Sequence, residues 1–193
     1  MHTITRLARA TTAPVTVVLP EEHIERWRAM CRDYEYNEPH TVVAGGDTRF
    51  ESVKRGLFSL SLAAGDVVAV HDGVRPLCGA ALVERVFATA AILGSAIPVV
   101  PVTDSVRLVM PSGRTSALDR STLRAVQTPQ AFNAMALRDA YCVPYSPRFT
   151  DDAAVMENAG HEMTLVEGEP TNLKITHPVD LVVAEYILTH GNA

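Results

Sequence analysis

Residues 71–76 read HDGVRP and follow directly on the apolar run Val67-Val68-Ala69-Val70. Asp72 is a hard oxygen ligand of the kind Mg2+ prefers. Arg75 carries a planar fork of donors suited to a phosphate. A divalent metal and an arginine together can neutralise a phosphoryl group in transfer. Without that chemistry, Asp72 is an ordinary loop hydrogen-bonder and Pro76 leads into a helix. His71 reads as the end of the strand rather than as a catalytic base.

Three further stretches carry polar groups in suggestive places. AGGDTRFES, residues 44–52, has two glycines that let a backbone approach a ligand, with Asp47 and Ser52 beside them. Taken alone it is equally a turn followed by a helix N-cap. FTDDAAV, residues 149–155, offers Thr150, Asp151 and Asp152 at a helix start. N-capping by Thr150 and the preference for acids in a first turn account for these without any ligand. NLKITHPVDL, residues 172–181, puts Lys174 in a strand-like run before a Pro-initiated helix. Facing a ligand crevice, that lysine is a phosphate contact; facing solvent, it is nothing.

The elements that must hold these groups alternate. The pattern predicts helix 2–11, strand 15–19, helix 21–33, strand 41–44, helix 49–63, strand 67–71, helix 79–93 and strand 96–102. Such alternation argues for an α/β fold, a mostly parallel sheet covered by helices. In such sheets ligands bind beyond the carboxyl ends of the strands, where all three clusters are expected to sit: HDGVRP, AGGDTRFES, and the one spread over FTDDAAV and NLKITHPVDL. Residues 105–129 break the pattern with two or three short strands around Pro111-Ser112-Gly113-Arg114, a β-arm over about residues 104–127 with no room for a crossover helix. Helices 133–141 and 151–159, strands 163–167 and 172–176 and helix 178–190 complete one domain, residues 1–193.

Composition narrows the function. The 193 residues suffice for one packed core. A net charge of −5 argues against a nucleic-acid partner, which needs a basic face. Three separated cysteines, Cys31, Cys78 and Cys142, form neither a disulfide framework nor a zinc motif, and a reducing cytoplasmic location is expected. The most apolar stretch, 82–102, is interrupted by Glu84, Arg85, Pro98 and Pro101, so no membrane span is expected. The opening MHTITRLARATTAP lacks acids, like a transit peptide, but runs straight into VTVVLP and reads as a structural helix.

Taken in order, GGDTRFESV, VHDGVRP, AIPVVPVTDSV, LDR, QTPQAF, FTDDAAVMENAGH and LVEGEPTNLKITHPVDLVVAE resemble the 2-C-methyl-D-erythritol 4-phosphate cytidylyltransferases across essentially the whole chain. The resemblance implies a Rossmann-like nucleotidyltransferase fold and a homodimer. It implies Mg2+-dependent transfer from CTP to methylerythritol phosphate, with release of pyrophosphate. By motif match, Gly46, Asp47, Ser52 and Gly73 would bind the nucleotide, and Asp72 would lie by the metal. Asp72, Arg75 and Lys174 would be catalytic. Arg75, Thr128 and Thr150 would hold the acceptor. Ser105 and Arg120 would reach a partner's acceptor site on the β-arm, and Ser105 stands where some members have threonine.

One departure is large. The family opens with a strand, a glycine-rich AAGxGxRM loop and a PKQ segment, and none of these occurs here. In strand order 3-2-1-4 that strand is central, and its loss leaves buried backbone groups unpaired at roughly 1–3 kcal/mol each. The chain is therefore expected to be a shortened form begun at an internal Met, of low activity. The alternatives are a ribitol 5-phosphate cytidylyltransferase and a catalytically inactive binding or dimerisation paralogue.

Overall fold

The computed structural model describes residues 1–190. In chain order the elements are α1 (His2–Ala10), β1 (Thr16–Leu19), α2 (Glu21–Asp33), β2 (Thr41–Ala44), α3 (Arg49–Phe58), β3 (Val67–Val70), α4 (Ala80–Leu93) and β4 (Ser95–Pro101). There follow β5 (Arg107–Val109), β6 (Thr115–Ala117), a single 3-10 turn, β7 (Arg124–Val126), β8 (Gln130–Asn133), α5 (Ala134–Ala140), α6 (Asp152–Asn158), β9 (Leu165–Glu167) and α7 (Pro178–His190). The expected alternation of helix and strand is present through β4; of the arm expected over 104–127 only the β5–β6 hairpin stands apart, because β7 pairs with β4 in the larger sheet. The last three residues of the expected 1–193 domain lie outside the described residues.

The α/β fold is as expected, but the parallel character of the sheet is only partly so. β1–β2 and β4–β9 pair in parallel, but β3–β8, β4–β8, β4–β7 and β5–β6 pair antiparallel. The crossover through α4 does send β3 and β4 in the same direction, since both oppose β8. β8 then inserts between them, running the other way. Its sequence, Gln-Ala-Phe-Asn, carries no β-branched residue, so pattern alone does not announce it.

Side-chain alternation along these strands builds two cores. Ala69, Ala131 and Ala96 stand opposite one another across β3, β8 and β4. This row of small residues lets α4 settle close, burying Leu82, Val83 and Val86. The alternate residues, Val68, Val70, Phe132 and Ile97, point to the other face and meet Phe50, Leu137, Tyr141, Val155 and Met156. Gly94 ends α4 in the left-handed conformation (φ 82°) that glycine tolerates, which turns the chain straight into β4.

β1 and β2 pair only with each other among the described residues. A cavity of about 120 Å3 lies between β1 and β3, lined by Leu7, Val15, Thr16, Ala69, His71 and Phe87. Helix α3 is shorter than the expected 49–63. Ser59 turns its hydroxyl onto the Gly56 carbonyl, and the chain leaves the helix so that Leu62 reaches the core. Residues 172–176 form no strand. Their backbone donors go elsewhere: Ile175 to the Val74 carbonyl, Thr176 and His177 to the Asp180 carboxylate at the start of α7.

The alanine row sets a tight limit on volume. Ala131→Leu is expected to destabilise by about 1–3 kcal/mol through overpacking beneath α4. Phe132→Ala, on the opposite face of the same strand, should cost about 3–5 kcal/mol. Ile92→Ala at an exposed position should stay within about 0.5 kcal/mol. Urea unfolding of the three variants checks this order.

Candidate active site

Asp72 follows the carboxyl end of β3, and four segments converge on it. Continuing the β3–β8 register by two residues places Thr128 opposite Asp72. The Thr128 hydroxyl oxygen accepts the Asp72 backbone N–H at 2.9 Å. Arg75 Nε lies 3.3 Å and Lys174 Nζ 3.1 Å from Asp72 Oδ2, while Arg49 Nε lies 3.7 Å from Oδ1. Burial alone would raise the Asp72 pKa. The hydrogen bond and charge of Lys174, with Arg49 and Arg75, outweigh it and hold the carboxyl below its usual range.

The loop is fastened from behind. The Thr3 hydroxyl of α1 donates to the Gly73 carbonyl at 2.7 Å. A neutral His71 ring completes a chain of donors and acceptors. Its Nδ1 takes the Thr128 O–H at 3.0 Å, and its Nε2–H is given to the Arg75 carbonyl at 3.2 Å. Thus His71 works as part of the strand end, as its place in the sequence implies.

Arg75 is buried, and its guanidinium is engaged inside the chain. Nη1 donates to the Asn172 carbonyl at 2.7 Å and Nη2 faces the Val126 carbonyl at 3.5 Å. It therefore ties the 172–174 segment to the HDGVRP loop. Lys174 is the most exposed of the three cations, with 45% of its side chain accessible against 36% for Arg49. Thr128 is only 4% exposed and reaches the site through the Asp72 amide.

The glycine turn is a helix cap. Thr48 and Glu51 form a reciprocal capping box at the start of α3. The Ser52 hydroxyl bonds both the N–H and the carbonyl of Gly46. A Cβ on Gly46 would lie 2.4 Å from Glu51 Cβ, so the cap itself demands glycine there. Asp47 donates its backbone N–H to Glu51 Oε2. At α6 the cap is Asp151, which accepts the Ala154 N–H, and not Thr150, which is exposed one residue earlier. Ser105 and Arg120 lie exposed on either side of the β5–β6 hairpin. Arg120 donates to the Thr103 carbonyl, and no hydrogen bond among the described residues joins either one to Asp72.

Two residues of the cluster receive no role in the site from the sequence. Arg49, the first residue of α3, donates from Nη2 to Asp152 Oδ2 at 2.6 Å. Asp152 is fully buried and also accepts the Tyr141 O–H at 2.5 Å. Burial works against the Arg49 charge, but Asp152 and then Asp72 more than offset it and raise its pKa. Burial and the Asp152 carboxylate push Tyr141 upward as well. An arginine just inside a capping box is a common surface residue, and its acidic partner lies 103 residues away. Around Asp72 and Asp152, the cations Arg49, Arg75 and Lys174 leave an excess of one positive charge. Among the described residues, no group of three or more His, Cys, Asp or Glu forms a metal cage.

His71 gives the site a pH signature. Burial pushes its pKa from the ordinary 6.5 down to about 4. The unfolded chain therefore takes up this proton at higher pH than the folded chain. The contribution is complete above the ordinary value and is lost as pH falls from about 6.5 to about 4, by up to about 3 kcal/mol. Urea unfolding across that window should show the loss, and His71→Asn, which does not titrate, should flatten it.

The geometry has close counterparts. A family model described as 2-C-methyl-D-erythritol 4-phosphate cytidylyltransferase matches residues 1–190. The protein of that name from Porphyromonas gingivalis is 43% identical over 190 residues, 98% of this chain and 84% of that one. The one from Bacteroides fragilis is 42% identical over 175 residues, covering 90% and 78%. The crystal structure of 2-C-methyl-D-erythritol 4-phosphate cytidylyltransferase from Thermus thermophilus superposes with a TM-score of 0.81 at 34% identity, covering 97% of this chain and 87% of that one. With the family model spanning residues 1–190, close relatives over most of the chain and the fold shared, the chain belongs to the 2-C-methyl-D-erythritol 4-phosphate cytidylyltransferase family.

Proposed function

We propose that the chain transfers a cytidylyl group from CTP to 2-C-methyl-D-erythritol 4-phosphate, a step in making isoprenoid precursors. The observation that carries this reading is the convergence of Arg49, Arg75 and Lys174 on Asp72 at a strand end. It is a locally cationic site in a chain whose net charge is −5. An oxygen of the acceptor phosphate forms a bond to the α-phosphorus of CTP, and the bond from that phosphorus to the β-phosphate oxygen breaks. CDP-methylerythritol and pyrophosphate are the products.

In such a transfer the protein positions two anions and offsets their charge. Lys174, the accessible cation, meets the reacting phosphates. Arg75 contributes its charge from behind and holds the Asn172 carbonyl, which fixes the segment that carries Lys174. Thr128 acts through the Asp72 amide. Gly46, Asp47, Ser52 and Gly73 form the nucleotide side, and exposed Thr150 the acceptor side. Asp72 alone suits Mg2+, which commonly takes one or two carboxylates and completes its shell with phosphate and water. Bound there with the triphosphate, Mg2+ would neutralise charge on its oxygens.

The arm supplies the argument for a homodimer. Leu108, Val109, Met110 and Leu118 are exposed on and beside the hairpin, more apolar surface than a small projecting arm carries for its own sake. A second copy covering it would bring the partner's arm, with Ser105 and Arg120, to the acceptor side. No described helix is long and apolar enough to cross a membrane, and a cytoplasmic enzyme without a nucleic-acid partner fits the free cysteines and the charge.

Pyrophosphate release with CTP, Mg2+ and methylerythritol phosphate tests the reading. Release should require all three components. Asp72→Asn and Lys174→Ala should each lower kcat/KM by about 100-fold or more. Release no greater than that of Asp72→Asn would overturn the proposal, and a preference for ribitol 5-phosphate would reassign the acceptor. Light scattering should return the mass of two chains, and deletion of 107–117 the mass of one.

A further inference from the structure

We infer that Arg49 is a positioning residue: anchored on buried Asp152, its guanidinium sets the orientation of the Asp72 carboxylate. Its direction is fixed at the root, because it is the first residue of α3 and the Thr48–Glu51 capping box defines that turn. It is fixed at the tip by Asp152, whose side chain is wholly inaccessible. The anchor is itself held from two directions. Tyr141 donates to Asp152 Oδ1, and its ring stacks on Phe50 at 4.7 Å between centroids. Gln130 of β8 accepts the Ala153 N–H and donates to Asp151 Oδ2, pinning the start of α6.

The two oxygens of Asp72 are unequally served. Lys174 and Arg75 both face Oδ2, whereas Arg49 alone of the described cations faces Oδ1. Without Arg49, no cation among the described residues faces Oδ1 to oppose rotation of the carboxylate toward the other two. The guanidinium does this with two nitrogens of one rigid plane, Nη2 on Asp152 and Nε toward Asp72. A lysine carries the same charge on a single atom without the fixed plane, so pairing with Asp152 no longer sets a second nitrogen toward Asp72. Charge pairing of the buried acid and orientation of Asp72 are therefore separable by one substitution.

Arg49→Lys is the test. Its crystal structure should show the Asp72 carboxylate turned about the Cβ–Cγ bond away from α3. In the kinetic arm, which rests on the functional reading above, kcat should fall by about 10- to 100-fold. KM for CTP should change by less than about threefold, and the melting temperature should stay near that of the parent chain. An unmoved Asp72 carboxylate, or an unchanged kcat, would overturn the inference. A chain that releases no pyrophosphate at all counts against the functional reading, and the crystal structure then decides the inference on its own. Should Arg49→Lys fail to fold, Asp152→Asn takes its place. It keeps the shape and an acceptor for Tyr141 but removes the anchoring charge, and the same rotation is expected.

Discussion

The site depends on one carboxylate that gathers cations the chain keeps far apart. Arg49 opens α3, Arg75 lies in the loop after β3, and Lys174 precedes the last helix, yet all three face Asp72. Three positive groups at this separation repel one another, Arg75 most strongly because it is the buried one. The acid lets them coexist. It also leaves them undersaturated as a group, because one negative charge cannot neutralise three. Asp152 takes up part of the remainder from below, through Arg49. What is left is a surplus of one positive charge, held in place by the fold.

Much of this was legible in order and little of it in depth. HDGVRP at the end of an apolar run announced both the strand and the acid, since a buried strand must emit its polar residues where it meets solvent. Lys174 was visible as a charge in a strand-like run, although residues 172–176 turned out to form no ladder. The reach of Lys174 to Asp72 comes from the Ile175–Val74 bond and the Arg75–Asn172 bond, which local pattern cannot express. Arg49 and Asp152 were illegible as partners for the same reason. Helix capping explains the types of residue at both positions, and only the packing of α3 near α6 joins them. The glycine turn shows the opposite case: its residues are accounted for locally by a cap, whatever else they bind.

The inserted strand β8 explains why Thr128 belongs to the site at all. In a purely parallel sheet, the segment before a strand arrives at the end opposite to the ligand crevice. Because β8 runs against β3, its entry lies beside the exit of β3, and Gln127 and Thr128 are delivered to the HDGVRP loop. The same reversal puts Gln130 within reach of Asp151 and the start of α6. One antiparallel strand of four residues, with no β-branched side chain, thus supplies both the back wall of the loop and the floor under the Arg49 anchor.

The separation of β1–β2 from the larger sheet has a mechanical consequence. Among the described residues no backbone ladder crosses between the two groups of strands, so rigidity passes from one to the other through side chains and covering helices. Helix α3 packs on β1 and β2 on one side and on α5 on the other. The ion pairs from Arg49 to Asp72 and Asp152 run across the same junction. The same ion pairs therefore also act as rivets between two plates, and losing them would loosen the seam.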